Sequence, residues 1–207
     1  MTTLMPDALA TSADYADAML VARRAKNWLF LILLLILLLQ LTLFFVARYT
    51  GFLAPHPQTT QPTTTDQKLQ YVTSLTTFLG TILPILLSLD LLLILNIMLV
   101  GRLIGLARVT SAFMWCLLLV LLLFPWQVFF GGTTEPTDFR LPGLLFSWQE
   151  LLLYARFPTD DLKLATLKWA RFVVFPVIAL VLLLIVQVKS NRGLRQALGE
   201  AEPETHM

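Results

Sequence analysis

Four runs of apolar residues constrain this chain more than anything else in it, because each approaches the roughly 20 residues that carry a helix across about 30 Å of hydrocarbon. They cover residues 28–47, 79–100, 111–130 and 172–188. The first is interrupted only by Gln40 and Thr42, and the second carries Pro84, Ser88, Asp90 and Asn96. The fourth is the shortest, but residues 161–171 lead into it without a breaker, so one longer, tilted helix fits. Hydrocarbon offers backbone N–H and C=O groups no partner, which leaves helices or a closed barrel. Barrel strands alternate polar with apolar residues, and these runs do not. The pattern predicts an all-α, polytopic membrane protein with four transmembrane helices. Composition agrees: the chain is 57% hydrophobic and 14% charged, against about 45–50% and 25% in soluble domains.

This divides the chain into an N-terminal cytoplasmic segment (1–27), a four-helix transmembrane domain (28–188) and a cytoplasmic tail (189–207). The first run exceeds the 7–15 apolar residues of a secretory signal and follows a segment holding Asp7, Asp14 and Asp17, so it reads as an uncleaved anchor. Orientation follows from Lys and Arg near the span ends. One side holds Arg23, Arg24, Lys26, Arg102, Arg108, Lys189, Arg192 and Arg195. The other holds Arg48, Lys68, Arg140, Arg156, Lys163, Lys168 and Arg171, spread over longer connections. The denser set marks the cytoplasmic face of a bacterial inner membrane, with both termini inside and loops 48–78 and 131–171 outside. Within the first loop the Pro- and Thr-rich stretch 55–66 reads as extended, while 67–78 regains helical spacing and extends the second span.

The second external loop contains a further apolar segment, 144–157, too short to span. Trp148, Tyr154 and Phe157 suit the headgroup region, so it reads as an amphipathic helix in the outer interface, lying on lipid or docking a partner. Pro158 ends it.

The absences exclude most chemistry. His56 and His206 are the only histidines and neither lies in a span, so bis-histidine haem and His-centred metal sites are not expected. The lone Cys116 permits no internal disulfide. No nucleophile elbow or phosphate-binding glycine loop is present. A net charge of +2 gives no reason to expect nucleic acid as a partner. The expectation is a chain that is not an enzyme, with no catalytic residues, no metal and no resident cofactor. Lipid, quinone or pigment held at apolar surfaces stays open.

Asp90 asks for an explanation. It falls at the middle of the second run, where a carboxylate costs a few kcal/mol, and no cation stands at matching depth in any run. Three roles follow: a neutral acid hydrogen-bonded to Gln40, a charge paired with a group from another subunit, or part of an ion path. Asn96, about 240° around the helix from Asp90, reads as an interhelical hydrogen-bonding residue. Gln40, Asp90 and Asn96 are therefore the intramembrane polar set, available for packing, partner or ion contact.

The layout resembles, at the level of fold alone, the small membrane subunits of tripartite transporters and the anchor subunits of respiratory complexes. The expected function is a non-catalytic accessory or structural subunit of a larger bacterial inner-membrane complex (respiratory, photosynthetic or transport). Its partners would be the lipid bilayer and other integral membrane subunits. The alternative is a small oligomeric transporter or channel using Asp90.

Overall fold

The computed structural model describes residues 7–49, 64–124 and 169–200, together with 145, 151 and 166. Helix α1 runs Asp7–Tyr49, α2 runs Thr64–Val100, and α3 runs Leu106–Leu123. A π-helical turn, Ala170–Val174, leads directly into α4, Phe175–Ala197. The described residues are all helical apart from turns, and all four helices are long and apolar enough to cross a membrane. Of the interfacial segment only Leu145 and Leu151 are described. Trp148, Tyr154 and Phe157 lie outside the described residues, as do His56, His206 and Trp126.

The helices pack as a ring, α1 against α2, α2 against α3, α3 against α4, and α4 back against α1. Each buries a stripe at helical spacing: Leu33 and Leu37 on α1; Leu87, Leu91, Ile94 and Met98 on α2; Val109, Ala112, Cys116 and Leu119 on α3; Ala179, Leu183 and Val186 on α4. The opposite faces stay apolar and exposed, as with Leu35, Leu89, Leu121 and Leu184. Lipid-facing helices are apolar all round for this reason. The threonines of α2 solve their polarity locally. Thr73 donates to the Leu69 carbonyl at 2.8 Å, Thr77 to the Thr73 carbonyl at 2.8 Å, and Thr81 to the Thr77 carbonyl at 2.9 Å.

The helix ends show how the ring closes. α2 stops in a Schellman motif: Leu103 N–H donates to the Met98 carbonyl at 3.0 Å and Arg102 N–H to the Leu99 carbonyl at 3.3 Å. The left-handed residue is Arg102, with φ 49°. α4 ends the same way, but there Gly199 takes the left-handed place at φ 70°. Holding a non-glycine residue in that region costs on the order of 1 kcal/mol. Gly105 starts α3 at φ 98°, and a Cβ there would lie 2.7 Å from the Gly193 carbonyl oxygen. Two glycines thus bring the backbones of α3 and α4 into direct contact. At the start of α4 the π turn widens the helix just before Pro176, whose ring would otherwise crowd the preceding turn.

Candidate functional site: a polar layer at one end of the bundle

Contacts between helices fix their register. Ile36 packs on Gly80, and Lys26 and Asp90 act on each other electrostatically without forming an ion pair, so α1 and α2 run antiparallel with equal steps between the two pairs. Phe44 stacks on Phe172 with ring centroids 4.9 Å apart, and Lys26 bonds Ser190, so α1 and α4 do likewise. Ser111 meets Lys189 between α3 and α4. The apolar runs of α1 and α4 and the described part of that of α3 therefore lie side by side. That of α2 does not: residues 79–100 are displaced by about ten residues, or about 15 Å, towards the Lys26 end. The part of α2 alongside residues 28–47 of α1 is about 69–88, and Leu69 joins the cluster around Ala47 as this register requires.

The displacement changes the reading of Asp90. It stands at the edge of the slab defined by the other three helices, not at its middle, and a cation does stand opposite it. Lys26 on α1 is fully buried, and its ammonium donates to Ser190 Oγ at 2.8 Å and to Asn191 Oδ1. The Asp90 carboxylate interacts electrostatically with the same ammonium, although its buried Oδ2 accepts no hydrogen bond. One lysine thus bonds α1 to α4 and acts on α2 only through its field at Asp90. Around it Gln187 donates to Asn27 Oδ1 at 3.0 Å, and Lys189 donates to Ser111 Oγ at 2.8 Å with its ammonium 5.5 Å from the Trp115 ring centre. Beyond the layer Arg23 pairs with Glu200 at 3.1 Å.

The bond between Gln40 and Asp90, one of the three roles open to Asp90 from the sequence, is absent. Gln40 lies about 14 residues from Lys26 along α1, about 21 Å towards the other end. It is buried, and neither its Oε1 nor its Nε2 has a hydrogen-bond partner. Asn96, expected between helices, is exposed on α2 beyond the polar layer. Lys26, Ser190 and Asn191 were not among the residues singled out from sequence. Lysine in an Arg-Arg-x-Lys cluster reads as a solvated flank, and only the register of α1 on α2 reveals its burial.

At the opposite end Phe44, Ala47, Leu151 and Phe172 form a second cluster, with Trp169 edge-on to Phe44 at 6.2 Å and Arg48 lying 6.0 Å from the Trp169 ring centre. From the Lys26 layer to Phe44 is about 18 residues, or about 27 Å. Exposed Trp28 lies at one boundary, and Tyr49, Tyr71 and Trp169 lie at the other. Among the described residues no group of three or more His, Cys, Asp or Glu is placed to hold a metal. Cys116 is buried in the core. Comparison with protein families, with curated proteins and with solved structures finds no match for this chain.

Proposed function

We propose that this chain is a polytopic, non-catalytic subunit of a bacterial inner-membrane assembly of the respiratory, photosynthetic or transport kind, packing its helices against lipid and other membrane subunits. The observation that carries this reading is the internal answer to Asp90. The one carboxylate within an apolar run faces a lysine of its own chain, and that lysine is held by Ser190 and Asn191. Charges arranged in this way hold α1 to α4 with Asp90 of α2 beside them, and among the described residues no chain of polar groups runs through the bundle. The aromatic boundaries, about 30 Å apart, suit the hydrocarbon core with Trp28 and Trp169 in the headgroups. The eight Lys and Arg residues at the Lys26 end support a cytoplasmic position for that end and for both termini. No resident cofactor is part of this reading.

Purification from the native membrane in mild detergent, followed by mass spectrometry, tests it. A stoichiometric integral membrane partner carrying haem, pigment or a transport domain is expected. Recovery of this chain with no other protein at stoichiometric level overturns it.

The buried, unbonded Oδ2 of Asp90 favours a second reading, a small oligomeric transporter. There, Asp90→Asn abolishes flux in reconstituted vesicles while insertion and assembly persist. Unchanged flux, or none in the parent protein, removes it.

A further inference from the structure

The displaced apolar run of α2 leaves a surface that the membrane does not cover. Helices packed 8–10 Å apart put α2 and α4 about 13 Å apart across the ring. Burying both apolar runs at once would offset them by about 15 Å over that distance, a tilt near 50° and beyond the 0–40° found for membrane helices. The last ten residues of α2 therefore project past the Lys26 layer, beside the charged stretches of α1 and α4 that carry Arg23, Arg24, Arg192 and Arg195. Yet their outer face is mostly apolar: Leu92, Leu93, Leu99 and Val100 are exposed around a single polar residue, Asn96, followed by Ile104 at 78%. An exposed face this rich in large apolar residues outside hydrocarbon marks an interaction surface.

The charges beside that face say what covers it. Arg102 sits at its tip in the left-handed place that α4 gives to glycine, so a guanidinium is held there against backbone preference. On α1, Asp14 and Asp17 are exposed, with exposed Leu20 and Val21 next to them. Lys26 faces Asp90, and twelve residues further on from each stand Asp14 and Arg102. The acidic edge of α1 and the cationic tip of α2 are thus at one level along the bundle. Neither aspartate is bonded to Arg102 within the chain. Copies of one protein inserted in the same direction can only rotate about the membrane normal, so complementary groups meet only when they share a level.

We propose that this collar binds a second copy of the chain, α1 of one protomer (Asp14, Asp17, Val21) meeting the α2 tip (Val100, Arg102, Ile104) of its neighbour. The apolar residues would bury each other while the aspartates and Arg102 set the alignment. This pairing is independent of whether the chain belongs to a larger assembly.

Cross-linking of the full chain in its native membrane tests it. In a Cys116→Ser background, Val21→Cys and Ile104→Cys chains are expressed together and treated with a short bis-maleimide. A dimer of this chain is expected from the mixed pair. Arg102→Asp should lower its yield at least about tenfold through like-charge repulsion, and adding Asp14→Arg with Asp17→Arg should restore it. Insertion is checked by maleimide labelling of each single cysteine. No dimer from correctly inserted chains, a yield indifferent to charge reversal, or an adduct only with a protein of different mass each overturns the proposal. A native purification lacking any partner overturns the subunit reading and leaves this one standing.

Discussion

Replacing Lys26 by methionine isolates the energetic role of the polar layer. Methionine keeps most of the stem, so the core around Met19 and Ala22 stays filled while the ammonium is lost. Three groups then lose their partner. Ser190 Oγ still donates to the Gln187 carbonyl at 3.2 Å, and half-buried Asn191 finds water, so these losses are small. Asp90 keeps a buried oxygen and has no cation opposite it. Removing one member of a buried pair costs about 3–5 kcal/mol. Because Lys26 and Asp90 act on each other without forming an ion pair, and Asp90 is half-buried with one oxygen able to hydrate, the effect falls at or just below the low end and a loss of about 2–3 kcal/mol is expected. Asp90→Leu added to Lys26→Met removes the orphaned charge and should return most of it, giving a coupling of about 2 kcal/mol in the double-mutant cycle. Reversible unfolding in mixed detergent micelles measures all four proteins. A single-variant loss below about 1 kcal/mol, or additivity within about 0.5 kcal/mol, refutes the pairing.

Three further outcomes follow from local geometry. Gln40→Leu replaces a buried amide that has no partner, so stability should rise by about 1–2 kcal/mol and Tm with it; a fall would mean that another molecule bonds Gln40 in the membrane. Gly193→Ala drives a Cβ to 2.5 Å from Val109 Cγ2, so a loss of about 1–3 kcal/mol is expected, partly recovered by Val109→Ala, and full stability in the single variant would refute the close approach of α3 and α4. Arg102→Gly relieves the left-handed arginine and should stabilise the detergent-solubilised monomer by about 1 kcal/mol while lowering cross-linking between copies; unchanged stability would place Arg102 outside that conformation.

How much of this was legible in the sequence differs from helix to helix. The apolar runs of α1 and α4 agree with the register, whereas α3 begins at Leu106, before its run, and leaves helical geometry at Phe124. The spacing of Leu69, Val72, Leu75 and Phe78 anticipates the outward extension of α2, which the structure begins at Thr64. Hydropathy places α2 itself too far towards the Lys26 end, because composition records which residues tolerate lipid and not which neighbour each meets. That single shift hid the partner of Asp90. Asp90 appeared central and Lys26 appeared to be a flank, although the two face each other. Gly105 and Gly193 escaped notice for a related reason: they lie outside the apolar runs, where a search for small packing residues does not look. Gln40 reads as polar and deep from the sequence, but its isolation within the chain depends on side-chain placement that no periodicity encodes.

α1 runs 43 residues, about 64 Å, without a glycine or proline, whereas α2 contains Pro84 and α4 begins with a π turn. Lys26 pins it near its middle, about 28 Å from Asp7 and about 35 Å from Tyr49. With no joint along its length, α1 is a rocker on a fixed pivot. A 10° inclination imposed where Phe44 grips Phe172 swings its Asp7 tip by about 5 Å in the opposite direction, so displacement at one end of the bundle reaches the other by rigid rotation alone.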